Sequence, residues 1–390
     1  MYKIATLNKI SPAGLNRLSN DYSFVDDPAD ANGIIVRSQK MHDMEFGKDL
    51  MAIARAGAGV NNIPIDRCSE QGIVVFNAPG ANANAVKELV MAGLLMSARN
   101  IPEAIKWTQG LDKDVMAQAE KGKKQFAGRE LEGKVIGVIG LGAIGVMVAN
   151  TCKNFHMKVI GYDPYINLTS AHALSHKIPV MNDLAAMLPR CDYVTIHVPV
   201  NDSTKGMIDS RRIGQMKEGA VLLNFARDGL VNEKALIEAL DEGKLSRYVT
   251  DFPTDAIANH NRVINTPHLG ASTQEAEEHC AIMAAEELMD YLENGNIQNS
   301  VNYPTCTMGR LDPEAVARVC IMNKNIPTML NKITTVFSDL NINIRDLTNK
   351  SKGDYAYNLV DVDGDIDSEV LDAVFQIEGI IRARIIRNKR

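Results

Sequence analysis

Residues 134–163 read KVIGVIGLGAIGVMVANTCKNFHMKVIGYD, and the order of residue types in this stretch decides the fold. The apolar run Val135–Ile139 predicts a strand covered on both faces, because half-exposed strands alternate instead. Gly140-Leu141-Gly142-Ala143-Ile144-Gly145 follows without a break, then a helical stretch to about His156, a second apolar run Val159–Tyr162, and Asp163. Strand, glycine turn, helix, strand and acid form the dinucleotide-binding pattern in the context it requires. Gly140 permits the sharp turn, Gly142 lets backbone approach a pyrophosphate, and Gly145 lets the helix lie close on the strand. The pyrophosphate then meets free amides at a helix N-terminus. Asp163, 18 residues beyond Gly145, can accept both ribose hydroxyls and repels a 2′-phosphate, which favours NAD over NADP.

The chain has 390 residues, room for two or three domains, and a net charge of −6. That balance argues against a nucleic-acid footprint, which is basic. The basic end, Arg382–Arg390, reads as a solvated tail, and Lys123-Lys124 as an ordinary solvated run. No apolar run reaches the ~18 residues of a membrane span. Met1–Asn20 lacks a signal-peptide layout, so a cytoplasmic protein is expected. Six cysteines, at 68, 152, 191, 280, 306 and 320, show no CxxC pair. They read as reduced, mostly buried thiols, and no metal site is expected.

Working outward, Lys3–Leu7, Asn32–Ser38, Leu50–Ala56 and Ile73–Phe76 alternate with helical segments, which predicts a first parallel α/β unit. Val86–Ser97 reads as a long apolar helix leading from it. The dinucleotide unit continues through strands at Val194–Val198, Val221–Phe225, Tyr248–Thr250 and Val263–Asn265, and the helix Gln274–Asn294 returns the chain to the first unit. Ser300–Asp312 has no periodicity and reads as a linker. Beyond it the order is strand, helix, strand, strand, helix, strand: Ala317–Met322, Met329–Leu340, Ile342–Lys350, Tyr355–Val362, Ser368–Ile377 and Ile380–Ile386. That is a small βαββαβ sandwich with no nucleophile–base pair, regulatory in character rather than catalytic. The expected domains are residues 1–97 with 281–305, residues 98–280, a linker at 306–314, and residues 315–390.

The chemistry belongs on loops at the C-terminal ends of the dinucleotide-unit strands. Four candidates lie there: Thr195-Ile196-His197-Val198-Pro199, Asn224-Phe225-Ala226-Arg227-Asp228-Gly229, Thr250-Asp251-Phe252-Pro253-Thr254-Asp255, and Thr266-Pro267-His268-Leu269-Gly270-Ala271-Ser272-Thr273. Hydrogen transfer from a hydroxy acid requires a base for the hydroxyl proton, a cation for the carboxylate and an acid to hold the base. Histidine suits the first role because its pKa is near neutral. Arginine suits the second through its bidentate fork, and a carboxylate beside the imidazole favours its protonated form. His268, Arg227 and Asp255 supply this set. His197 reads as a structural histidine lining the cofactor loop.

On the motifs GLGAIG (140–145), RAGAGVNNI (55–63), HVPVNDSTKGMI (197–208), ARDGLVNEKAL (226–236) and PHLGAST (267–273), the chain resembles the D-isomer-specific 2-hydroxyacid dehydrogenases through both α/β units. The resemblance implies a flavodoxin-like substrate domain beside a Rossmann-type NAD domain. It implies Arg227 and His268 as catalytic residues, with Arg37, Ser38, Arg55 and Gly57 joining them at the substrate. Asp251 matches the acid that contacts the nicotinamide amide. Further cofactor positions carried by the motifs are Ala143, Ile144, His197, Val198, Pro199, Thr204, Phe225, Ala226 and Gly270. The family usually places a glutamate where Asp255 stands, in a segment here one residue shorter, which leaves Asp251 as a possible substitute partner for His268. The last unit is similar to an ACT domain. That implies L-serine as an effector held by Asn325 and Asn343, although Thr328 replaces the usual glycine of the loop.

The expected reaction is NAD-dependent oxidation of a phosphorylated 2-hydroxy acid such as 3-phosphoglycerate, by a homodimer or homotetramer. Three alternatives stay open at this point: another 2-hydroxy acid (lactate, glycerate or 2-hydroxyglutarate), a non-catalytic NAD(H) sensor, and an amino-acid sensor whose dehydrogenase unit is inert.

Overall fold

The computed structural model describes residues 1–364 and 366–388; Lys389 and Arg390, the end of the expected basic tail, lie outside the described residues. The chain forms two compact units, residues 1–82 with 277–390 and residues 83–276. The divisions therefore fall at 82/83 and 276/277 rather than at 97/98 and 280/281, near the start of each of two long helices, Ala83–Arg99 and Gln274–Asn294.

The first unit opens with strands β1 (Tyr2–Leu7), β2 (Tyr22–Phe24), β3 (Gly33–Val36), β4 (Ala52–Arg55) and β5 (Val74–Asn77), in the order β2-β1-β3-β4-β5. All neighbours are parallel. This is the flavodoxin-like doubly wound order, in which ligands meet the C-terminal strand ends. β3 is buried at every residue, as an apolar run covered on both faces requires.

The second unit carries β6 (Val135–Ile139), β7 (Lys158–Tyr162), β8 (Val180–Met181), β9 (Tyr193–Ile196), β10 (Ala220–Asn224), β11 (Leu245–Thr250) and β12 (Val263–Asn265). Their order is β12-β11-β10-β9-β6-β7-β8, again all parallel. Strand order reverses between β6 and β9, so the crevice outside their C-terminal ends is the switch point of a Rossmann sheet. The edge strands β2 and β8 have three and two residues, too few to leave a periodic signal in the sequence.

The last unit of sequence forms β13 (Ala317–Lys324), β14 (Ile344–Lys352), β15 (Tyr355–Val362) and β16 (Ile380–Arg387), an antiparallel sheet in the order β14-β15-β13-β16. Helices Met329–Asp339 and Ser368–Phe375 bury Ile333, Phe337, Val370 and Val374 against Val319, Ile321 and Val360 on one face. Alternate residues Cys320, Met322, Tyr357 and Leu359 point the other way and join the core that holds Leu288, Tyr291 and Tyr303. Both faces of this sheet are therefore covered.

Two readings of this region are corrected. Residues 300–306, within the stretch that reads as a linker, are pinned along the edge of β5. The Asn302 side chain accepts from the Val75 amide (2.9 Å) and donates to the Ile73 carbonyl (2.9 Å), standing in for a strand partner at the edge of β5. Tyr303, fully buried, donates its hydroxyl to the Ser69 carbonyl. Side chain–backbone bonding of this kind satisfies an irregular segment without leaving any apolar period. Nor is the described part of the basic end, residues 382–388, a free tail, for Arg382 and Arg384 lie in β16. Arg384 donates to the Leu292 carbonyl at 2.9 Å and to Tyr291, with its guanidinium 4.6 Å from the Tyr291 ring centroid. Arg318, paired with Asp361 across the strands, donates to the Asn294 carbonyl (2.8 Å), and Tyr357 to that of Gly295 (2.7 Å). The orphan carbonyls at the C-terminus of the long helix thus find their donors on the last sheet.

Glu287 lies on the same helix with Oε1 accepting from Asn299 and Oε2 buried without a partner. Burial pushes its carboxyl from 4.5 up to about 8, although the Asn299 amide opposes the rise. With the folded value raised, its stabilising contribution is complete below pH 4.5 and is lost as pH rises towards about 8. Thermal melts of Glu287→Gln against wild type are expected to show a gain for the variant that grows across that window and is flat above it. A pH-independent difference contradicts the buried acid.

Candidate active site

The glycine turn takes the conformation its sequence requires. Gly140 has φ +90°, and a Cβ there meets the His197 carbonyl oxygen at 2.6 Å. At Gly145 a Cβ falls 1.9 Å from the Gly140 oxygen, so neither position admits a side chain. Gly142, the N-cap of helix Ala143–Asn154, differs: a Cβ there meets nothing within 4 Å. That open space above the first free amides is the cradle a pyrophosphate needs. Asp163 follows β7 and accepts from the amides of Leu141 and Tyr165, both at 2.8 Å. Each oxygen keeps a second lone-pair position for a ribose hydroxyl.

His197 follows β9. Its Nε2 is 3.0 Å from the Thr195 hydroxyl, while Nδ1 is buried with no partner. Burial drives its pKa from 6.5 down to about 3. The ring is therefore neutral, and the stability this contributes is present above pH 6.5 and lost as pH falls towards 3. Its Cε1 proton is expected to show no titration by NMR between neutral pH and about pH 4, whereas a midpoint near 6.5 contradicts the buried ring.

The β10 loop is shaped by Asn224, which is 2 % exposed. Its Oδ1 accepts from the Ala226 amide (3.2 Å) and its Nδ2 donates to the Arg227 carbonyl (2.9 Å). Phe225 turns inward, close enough that a Cβ on Gly93 meets its ring at 2.8 Å. Arg227 turns outward and, among the described residues, bonds only its neighbour's carbonyl, Ala226 (2.7 Å), which leaves most of its fork free.

Asp251 and His268 are brought together by the backbone. Thr250, buried at the end of β11, donates to the Asn224 carbonyl (2.9 Å) and fixes this loop against the β10 loop. The Asp251 carbonyl accepts from the His268 amide (2.8 Å), and its Oδ2 from the Gly270 amide (2.9 Å). His268 sits at φ +37°, a left-handed position unusual for a side-chain-bearing residue. Its ring lies 4.8 Å from the Phe252 ring and is otherwise exposed. Burial raises the Asp251 carboxyl above the ordinary range, against the Gly270 amide and the charges of His268 and Arg227. Its Oδ1 is buried and, among the described residues, without a partner.

Asp255, expected to support His268, is exposed, and among the described residues its side chain makes no hydrogen bond or ion pair. Phe252 lies against the imidazole, and Asp255 faces solvent beyond Pro253; of the two acids, Asp251 is the one on which the charge of His268 acts. Thr195, Asn224 and Phe252 were not singled out from sequence for these roles. Only their positions flanking the strand ends could have pointed to them.

In the first unit, Arg37 and Ser38 follow β3, Arg55 ends β4, and Gly57 lies two residues beyond it. Arg37 pairs with Glu277 (2.6 Å), and the Arg55 Nε donates to the Arg37 carbonyl (3.1 Å). Asn8, beyond β1, accepts from the Ser38 and Gln39 amides at 2.9 and 2.7 Å. The expected effector pair is not assembled within one chain. Asn325 bonds the Gly353 carbonyl at one end of the last sheet, and Asn343 bonds Asp363 at the other. β13, with eight residues, spans that separation, roughly 25 Å at strand rise. Among the described residues there is no cluster of three metal-ligating side chains, and no helix is long and apolar enough to cross a membrane.

A pyrophosphate cradle, a ribose acid, and a histidine–aspartate–arginine group at one strand edge define a dinucleotide-dependent oxidoreductase of the doubly wound class. Residues 91–270 match the family described as D-isomer specific 2-hydroxyacid dehydrogenase, NAD binding domain. A D-3-phosphoglycerate dehydrogenase of Haemophilus influenzae is 32 % identical over 362 residues, covering 88 % of this chain and 83 % of that one. One from Methanocaldococcus jannaschii is 40 % identical over 296 residues, 73 % of this chain but 55 % of its own length. The chain thus spans little more than half the length of that archaeal relative. An NAD⁺-bound 3-phosphoglycerate dehydrogenase structure from Entamoeba histolytica superposes with a TM-score of 0.63 at 28 % identity, covering 77 % of this chain and 98 % of that one.

The chain belongs to the D-isomer-specific 2-hydroxyacid dehydrogenase family, and NAD is the cofactor for which its cradle is built.

Proposed function

We propose that the chain catalyses the NAD-dependent oxidation of 3-phosphoglycerate to 3-phosphohydroxypyruvate, the entry reaction of L-serine synthesis. The observation that carries this reading is the loop pair that ties the His268 backbone to Asp251 at the C-terminal edge of the sheet, with the Arg227 fork mostly free. The similarity to phosphoglycerate dehydrogenases at 32 and 40 % identity favours the phosphorylated acid over its analogues. Arg37 and Arg55 at the strand ends of the first unit offer the guanidinium chemistry a phosphate or carboxylate requires.

Arg227 grips the substrate carboxylate and polarises C2–O. Neutral His268 accepts the C2 hydroxyl proton as the C–O double bond forms, and Asp251 stabilises the imidazolium that results. NAD, when bound, supplies the acceptor for the hydrogen and electron pair that leave C2. In the reverse direction the imidazolium returns the proton to the carbonyl oxygen. The buried Oδ1 of Asp251 and Nδ1 of His197 are polar atoms that would orient the nicotinamide end, and Asp163 would hold the ribose. Asp255 contributes solvated charge near the loop.

NADH oxidation with 3-phosphohydroxypyruvate, pyruvate and 2-oxoglutarate as rival substrates tests this reading. Turnover favouring the phosphorylated acid is expected. Preference for an unphosphorylated acid keeps the chemistry and removes the substrate, and NADH binding without turnover leaves a sensor. The βαββαβ order supports an ACT-type regulatory role for the last sheet. Because Asn325 and Asn343 lie at its opposite ends, one serine bridging both requires a second copy of the chain, in keeping with a homo-oligomer; adding L-serine to the same assay tests that role.

A further inference from the structure

A cavity of about 460 Å³ opens in the second unit at the pole opposite the cofactor cradle. It lies at the N-terminal ends of β6, β9, β10 and β11, so the five residues of β6 separate it from the Gly140 turn by roughly 15 Å. Five cations line it, Arg129, Lys134, Lys217, Arg247 and Arg262, against two carboxylates, Asp192 and Glu218.

Both carboxylates are already committed. Asp192 pairs with Lys217 at 2.9 Å and accepts from the Val135 amide, and Glu218 pairs with Lys244 at 3.0 Å. Arg247 is held by Glu103 and by Asn100. Arg129, Lys134 and Arg262 remain, and among the described residues their side chains make no hydrogen bond or ion pair. Lys134 reaches Asp192 only as a longer-range charge. Lys134 and Arg262 are half-buried on the cavity wall, so these are not three freely solvated surface groups. The Tyr193 ring, 4 % exposed, also lines the space, and burial keeps its phenol protonated.

Like charges gathered on a concave, low-dielectric wall focus a positive potential into it. Two guanidinium forks and an ammonium match phosphate oxygens in number and geometry, and the volume is that of a small-molecule site. We infer that this cavity binds a compact phosphorylated small molecule carrying two or more negative charges, at a site separate from both the pyrophosphate cradle and the strand-end arginines of the first unit. The inference does not depend on which acid the enzyme oxidises.

Isothermal titration of the full chain with inorganic pyrophosphate, with NADH saturating so that the cofactor cradle is filled, reads the site directly. Binding is expected to weaken by about tenfold or more in Arg129→Gln/Arg262→Gln. It is expected to persist in Arg37→Gln/Arg55→Gln and to weaken with added salt. An unchanged melting temperature establishes that the cavity variant is folded; should it unfold, Lys134→Gln carries the same prediction. No binding to wild type, equal binding to the cavity variant, or loss of binding in the Arg37/Arg55 variant overturns the assignment.

Discussion

Replacing His268 by alanine is expected to lower kcat by about 10²–10⁴, the range a lost general acid–base supplies. The loss belongs to chemistry and not to folding. His268 is fixed through its backbone, its amide donating to the Asp251 carbonyl at 2.8 Å, and its ring is exposed apart from the contact with Phe252. Truncating the ring therefore opens no core cavity. Because the residue sits at φ +37°, His268→Asn, a residue that tolerates left-handed backbone, serves as a second variant free of added strain. His197 cannot take over, since it is held neutral with its pKa near 3 and its Nε2 is engaged by Thr195. NADH affinity is expected to stay within about threefold of wild type, since the cradle residues are untouched, while the limb of the pH–rate profile due to the histidine disappears. Retention of that limb in both variants assigns the base elsewhere.

How far such a site can be read from sequence depends on what holds each part. The cradle was legible because its constraints are steric and local. Gly140 and Gly145 leave no room for a Cβ, and the flanking strands announce themselves as unbroken apolar runs. That His268 and Arg227 stand at strand ends was legible for a related reason, since each follows an apolar run. Which carboxylate is buried was not, because spacing along Asp251–Asp255 says nothing about which one turns inward. That choice is made by two backbone amides, those of His268 and Gly270, which converge on Asp251 and carry no side-chain signature. The same blindness explains residues 300–306. Asn302 replaces a strand partner through its amide side chain, and a composition rich in Asn, Pro and Thr reads alike whether it is pinned or solvated. Arg318 and Arg384 were hidden for a third reason. Arginine is taken as a surface residue unless paired, and their partners, the carbonyls ending the long helix, exist only once the sheet has packed there.

The choice between the two acids gives the second large effect. Asp251→Asn is expected to reduce kcat about a hundredfold, and Asp255→Asn by less than about threefold. Asparagine keeps the shape of Asp251 and an oxygen for the Gly270 amide, so the His268 loop remains tied and only the charge is lost. A unit charge a few ångströms from an imidazolium, at an effective dielectric near 20, contributes roughly 3 kcal/mol, about two powers of ten in rate. Exposed Asp255 acts through water, where such an interaction contributes little. Stability is expected to move the other way. Burial raises the Asp251 carboxyl above its unfolded value, so its stabilising contribution is complete below the ordinary carboxylate range and is lost as pH rises through the folded value. The charged form of Asp251 is therefore held at a cost in stability, and Asp251→Asn should melt no lower than wild type while turning over far more slowly. A slower, equally stable Asp251 variant marks an acid kept for its charge at the reacting histidine. The reverse ranking, with Asp255→Asn the slower enzyme, returns the supporting role to Asp255 and requires the Pro253–Asp255 turn to swing inward when substrate binds.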